Sequence, residues 1–216
     1  MKKTVIVVGA GKGLGNSIAR KFGTNDFRVV LMARSKEKLR EYAKDMIKEG
    51  IEAHTVYADA SQPETLTKAI TFVKDKFGMP DVLVYNVGVT SSDAEAGPID
   101  SELLMRRYQV DVASAYHCAK LLDSEEFAAK HGAILMTGGG LALHPEAVFT
   151  PLSMDKAALR AMAYLLHDDM KQRGIFAGIV TVCGGIKPGT HFAPDLIAEE
   201  YWNLYCNRDE CEVMYQ

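Results

Sequence analysis

The sequence predicts an α/β protein: a doubly wound parallel sheet of six to seven strands with helices on both faces. Two observations carry this. Short β-branched runs alternate with longer stretches of helical periodicity along all 216 residues, and the first such run leads through a glycine-rich turn directly into a helix. No repeat, low-complexity tract or linker interrupts the alternation, so one domain over residues 1–216 is the economical organisation.

The strands are read as TVIVVG (4–9), FRVVLMA (27–33), IEAHTVYA (51–58), DVLVYNV (81–87), GAILMTG (132–138) and FAGIVTV (176–182). Most are short, nearly continuous apolar runs, as expected of strands covered on both faces. Helices are predicted near 13–23, 36–49, 62–77, 101–129, 151–173 and 194–206, and a short tail, CEVMYQ, finishes the chain. Two of them have readable starts. SQPE (61–64) has capping-box spacing with Pro63 in the first turn, and Thr150 before Pro151 pairs an N-cap residue with a first-turn proline.

Composition excludes several classes of function. About half the residues are apolar, the formal charge is -3 and no basic run stands out, which argues against nucleic acid or an anionic membrane as partner. Small molecules or protein partners are expected instead. Cys118, Cys183, Cys206 and Cys211 lie far apart with no CxxC pair, which fits a reduced, cytoplasmic compartment and neither a disulfide framework nor a zinc site. The opening apolar run is too short and too broken by glycine and Lys12 for a signal peptide. No stretch approaches the ~20 apolar residues of a membrane span.

The first chemical signal is VGAGKGLGNSIAR (8–20), between the first strand and the first helix. Gly9, Gly11, Gly13 and Gly15 let the backbone turn sharply and approach a ligand, and the helix that follows turns unpaired N–H groups and the positive end of its dipole toward a phosphate. The spacing is GxxxGxG on Gly9, Gly13 and Gly15; Leu14 stands where the third glycine of GxGxxG would fall. At the end of the second strand, where an NAD site places a carboxylate, the sequence reads LMARSKEK. Arg34 and Ser35, with Lys12 from the glycine loop, offer donors that match a 2′-phosphate, so NADP(H) is the expected cofactor.

With these motifs in place, the chain resembles the short-chain dehydrogenase/reductase family, Rossmann-like in fold, over nearly its whole length. The glycine loop, Asp59 and Ala60 in YADA after strand three, YNVG (85–88) after strand four, and Lys156 all fall where that family has its cofactor contacts. The resemblance implies that Gly9, Gly13, Leu14 and Gly15 face the pyrophosphate, that Asp59 binds the adenine, and that Asn86, beside Gly88, lies next to the nicotinamide-side ribose. It also implies that Lys156 holds that ribose and that Thr190 is a candidate contact for the carboxamide.

The family's catalytic Asn, Ser, Tyr and Lys survive here only as the lysine. Alignment on Lys156 puts Leu152 at the tyrosine position, Gly138 at the serine position and Asp111 at the asparagine position. Leucine donates no proton. His144, Ser153 and Thr137 are the available replacements, none of them favoured. Leu152, Lys156, Leu159, Ala163 and Leu166 form one stripe at helical spacing, so Lys156 points inward and needs a buried partner. Met154, Ala158, Ala161, Met162 and Leu165 add a second apolar face, which predicts at least a homodimer, or a homotetramer. Two functions follow from these residues: an NADP(H)-dependent oxidoreductase on a small carbonyl or alcohol substrate with non-standard catalytic residues, or a catalytically inactive NADP(H)-binding sensor or interaction protein.

Overall fold

The computed structural model describes residues 2–216 and places all the predicted strands in one parallel sheet. The strands are β1 (Thr4–Val8), β2 (Arg28–Ala33), β3 (Ala53–Tyr57), β4 (Val82–Tyr85), β5 (Ala133–Gly139), β6 (Phe176–Val182) and β7 (Glu212–Tyr215), in the order β3-β2-β1-β4-β5-β6-β7. The tail CEVMYQ is therefore mostly a strand, paired in parallel with β6. Four residues with mixed exposure carried too weak a pattern to be recognised alone; Glu212 anchors them. Its carboxylate accepts from Arg160 Nε (2.9 Å to each oxygen) and Tyr164 Oη (2.9 Å), and from the hydroxyl of Thr181 on β6.

The helices are α1 (Leu14–Thr24), α2 (Lys36–Lys48), α3 (Pro63–Phe77), α4 (Asp93–Ala96), α5 (Ser101–Tyr108), α6 (Ser114–Leu122), α7 (Glu125–Ala129), α8 (Thr150–Met170) and α9 (Pro194–Asn207). Side chains alternate across β1 to feed two cores. Ile6 and Val8 join residues of α3, α6 and α8 on one face, and Val5 and Val7 join α1, α2 and α9 on the other. On the second face Phe22, Phe27, Trp202 and Tyr205 pack with ring centroids 5.3–6.1 Å apart, locking α9 against α1.

Three local expectations need correction. The helix predicted over 101–129 is broken: α5 runs into a π-helical turn at Gln109–Ala113, then α6, and extended backbone at Asp123 separates α7, which Ser124 caps through Phe127 N–H. The wide turn lets the Val110 carbonyl accept the hydroxyl of buried Tyr85. No capping box forms at Ser61, because that hydroxyl turns back to Asp59 and Gln62 becomes the N-cap; a capping box forms instead at Ser92 and Glu95. Thr150 lies inside α8, and Asp93 takes its N–H with both oxygens at 3.1 Å.

Burial alone would raise the Glu212 carboxyl, but its hydrogen bonds to Arg160, Thr181 and Tyr164 hold it below the ordinary glutamate range. The carboxylate is therefore a stabilising group at neutral pH, and its contribution fades as pH falls through its lowered pKa. Glu212→Ala is expected to cost about 2 kcal/mol near pH 7, with less difference from wild type in acid, read by urea unfolding at both pH values.

Candidate functional site

The sheet order reverses between β1 and β4, and at such a switch point a crevice opens beyond the carboxyl ends of the strands. Here it is a cleft of about 270 Å³ lined by Gly9, Ala10, Ala33, Arg34, Asp59, Ala60, Asn86, Gly88 and Val89 among others. Gly9, Arg34, Asp59, Ala60, Asn86 and Gly88, which the sequence singled out from four separate loops, thus border one cleft.

Two of the loop glycines are dictated by packing. Gly9 has φ +86°, and a Cβ there would lie 2.5 Å from the Asn86 carbonyl oxygen; a Cβ on Gly15 would lie 2.5 Å from the Gly9 carbonyl oxygen and 3.0 Å from Asn86 Nδ2. Gly11 and Gly13 meet no such crowding from the protein. Gly13 is the N-cap of α1 and supplies no side-chain cap, so the first N–H groups of that helix, those of Leu14 and Gly15, have no intrahelical partner.

Arg34 in the cleft lining and Lys12 in the glycine loop are exposed, and neither makes an ion pair with a described residue. Ser35 is occupied as the N-cap of α2, accepting from Lys38 N–H at 3.3 Å. Asp59 accepts from Ser61 N–H and hydroxyl at 2.9 and 2.8 Å with one oxygen. The Ala60 carbonyl takes the Ser114 hydroxyl at 2.6 Å. Thr190 is not part of the cleft lining. Its hydroxyl closes a turn, donating to the Lys187 carbonyl at 2.8 Å and accepting from Phe192 N–H at 3.1 Å.

Asn86 is held from both sides. Its Nδ2 donates to the Gly9 carbonyl (3.1 Å), its Oδ1 accepts from Thr137 (2.9 Å), and Thr137 in turn accepts from the fully buried Tyr201 hydroxyl (2.7 Å). Lys156, 7% exposed, donates from Nζ to the Thr137 carbonyl at 2.7 Å. Burial presses its ammonium toward neutrality, against the pull of Asp111 and Asp155. Asp111, in the π turn, accepts the Val89 N–H at 3.1 Å with each oxygen; burial raises its carboxyl, while Lys156 and that backbone bond act in the opposite direction. Arg107 of α5 completes the clamp, donating to the Val89 carbonyl and the Ser91 hydroxyl at 2.7 Å each.

Leu152 is buried one turn before Lys156 on α8. The serine position needs correction from Gly138 to Gly139. Successive residues of a strand point to opposite faces: a Cβ on Gly138 would lie 2.5 Å from Thr181 Oγ1, whereas one on Gly139 would touch the Lys156 stem at 3.5 Å. The three alternative acids are either engaged by other groups or exposed. Ser153 bonds the Glu146 backbone, Thr137 belongs to the Asn86 chain, and His144 is exposed. The sequence reading missed Arg107, Tyr201 and Asp155. Asp155 had a signal, since it falls three residues after Leu152 on the inward stripe.

Comparison with known proteins agrees with this architecture. The profile of the family described as short chain dehydrogenase matches residues 3–199. The chain is 28% identical over 188 residues to oxidoreductase UcpA of Escherichia coli (strain K12), covering 85% of this chain and 68% of that protein. It is 27% identical over 122 residues to 7alpha-hydroxysteroid dehydrogenase of Bacteroides fragilis, covering 56% of this chain and 47% of that protein, so the match spans only about half of this relative's length. Among solved structures, an alcohol dehydrogenase from the archaeon Thermococcus sibiricus complexed with 5-hydroxy-NADP superposes with TM-score 0.84 at 24% identity, over 99% of this chain and 97% of the other. A metagenomic short-chain oxidoreductase in complex with NADP superposes with TM-score 0.83 at 25% identity, over 98% and 96%.

The glycine geometry makes a discriminating prediction about folding. Gly9→Ala imposes both a left-handed φ and a backbone collision and should lower stability by more than about 1 kcal/mol, whereas Gly13→Ala should melt within a few degrees of wild type; thermal unfolding by circular dichroism compares them.

Proposed function

The chain belongs to the short-chain dehydrogenase family, and on that footing we propose that it binds NADP(H) and acts as an oxidoreductase on a small carbonyl or alcohol substrate without a tyrosine acid. The observation that carries the cofactor assignment is the cleft itself: a backbone cradle at Gly9 and Gly15, an α1 N-terminus without a side-chain cap, and in the lining Arg34, which makes no ion pair with a described residue, with exposed Lys12 in the glycine loop. Those residue types match a pyrophosphate and a 2′-phosphate. Asp59 and Ala60 serve the adenine end, and Asn86, Gly88 and Lys156 serve the nicotinamide-side ribose. When bound, the nicotinamide supplies or accepts a hydride.

The chain's own task is to place the cofactor and move one proton. Lys156 has no phenol beside it, since Leu152 donates nothing, so the proton comes from the lysine ammonium or from solvent. A cofactor-binding protein without turnover is the second reading, favoured by the buried apolar Leu152 at the point where the family has its acid. The four free thiols fit a cytoplasmic setting. A self-association surface is proposed on α5, α6 and α8, where Met105, Tyr108, Tyr116, Met154 and Leu165 are all exposed, Leu165 by 71%.

Arg34→Ala removes a charged hydrogen bond worth ~1.5–3 kcal/mol and should weaken NADPH roughly tenfold to a hundredfold while leaving NADH little changed; equal loss of both in a fluorescence titration would count against a 2′-phosphate contact. Wild type should turn over small reactive ketones slowly or not at all. Leu152→Tyr with Gly139→Ser should raise NADPH consumption by ~10²–10⁴-fold, while the same tyrosine with Gly138→Ser should fold poorly because of Thr181. Brisk wild-type turnover would remove the degenerate-site reading. Light scattering at micromolar concentration should give a dimeric or larger mass, reduced by Leu165→Glu; a monomeric wild type would remove the assembly argument.

A further inference from the structure

Asp155 immediately precedes Lys156 on α8 and is 3% exposed; its Oδ2 is buried with no hydrogen-bond partner among the described residues. The charged groups that face it are Asp111 and Arg107, across the contact of α8 with α5 and the π turn, and Lys156 on its own helix. Each of the three is already engaged. Arg107 holds the Val89 carbonyl and the Ser91 hydroxyl, Asp111 holds the Val89 N–H, and Lys156 holds the Thr137 carbonyl. An ionised carboxylate buried near two cations and bonded to neither is a costly arrangement. A neutral carboxyl costs less and leaves both cations in place.

We propose that Asp155 is a positioning residue of the cofactor cleft: neutral beside Asp111, it leaves Arg107 and Lys156 to hold the Gly88–Ser91 wall and the end of β5, and its ionisation draws both cations toward itself. The wall in question lines the cleft through Val87, Gly88 and Val89, so loosening it weakens cofactor binding. Burial first, and then the charge of Asp111, push the Asp155 carboxyl up to about 7, with Arg107 and Lys156 pulling it down. The changeover therefore falls within the neutral range. This role rests on the proposed binding of NADP(H).

The test titrates NADPH into the full chain between about pH 5.5 and 8.5. Wild-type affinity should fall roughly tenfold with rising pH, corresponding to a one-unit displacement of the Asp155 titration on binding. Asp155→Asn, close in shape and permanently neutral, should keep the low-pH affinity throughout, and Asp155→Ser should behave the same way. A slope shared by all three proteins belongs to the cofactor phosphate, and profiles that overlay would overturn the proposal. Thermal melts without cofactor give a second readout. A carboxyl raised in the folded state keeps a proton that the unfolded chain releases, so wild-type stability should fall relative to Asp155→Asn from about pH 4 to pH 7 and level off above. Parallel melting profiles would also overturn it. Absence of NADPH binding at every pH would remove the cofactor reading, and this role with it, while the melts still report whether Asp155 holds a buried proton.

Discussion

The amide of Asn86 is the joint on which the cleft depends. It bonds the Gly9 carbonyl at the end of β1 and receives Thr137 of β5, which receives Tyr201 of α9. Three neighbouring strand ends and a helix from the opposite layer are thereby fixed relative to one another by neutral hydrogen bonds, two of them half-buried at Asn86 and one fully buried at Tyr201. The close approach of Gly9 to the Asn86 backbone, and of Gly15 to the Gly9 carbonyl and the Asn86 amide, is the steric counterpart of the same constraint. A side chain at either glycine would have to push the strand ends apart.

Charge is arranged around that joint rather than within it. Arg107 and Asp111 grip Val89 through its two flanking peptides, one on the carbonyl and one on the N–H. The loop after β4 is therefore held by Arg107 and Asp111, each bonded to the loop and not to the other. Lys156 uses the same device on the Thr137 carbonyl. Such bonds lower the cost of burying each charge and leave the shape of the cleft wall sensitive to the charge balance of a small cluster. The π turn at Gln109–Ala113 is where Asp111 enters it.

The legible parts of the fold were those governed by local pattern. Runs such as TVIVV and FAGIVTV are covered on both faces and long enough to stand out, and the glycine loop announces itself by composition. The π turn in the 101–129 helix was not legible, because it needs no unusual residue; it accommodates the hydrogen bond of Tyr85 to the Val110 carbonyl, two residues that the sequence places 25 positions apart. Likewise β7 becomes a strand because Glu212 finds Arg160 and Thr181, neither of which is near it in the chain.

By itself the sequence determined the parallel α/β architecture, the glycine-rich turn into the first helix, the inward Lys156 and the absence of a tyrosine one turn before it, since each of these is a matter of residue type at short spacing. Only the tertiary structure decided which strand-end glycine faces Lys156, that Ser35, Asp59 and Thr190 have structural partners, and that Asp155 joins Asp111 and Arg107 in one buried cluster. Side-chain direction at a strand end turns on a single residue of register, and the environment of a buried charge depends on groups brought in from other elements.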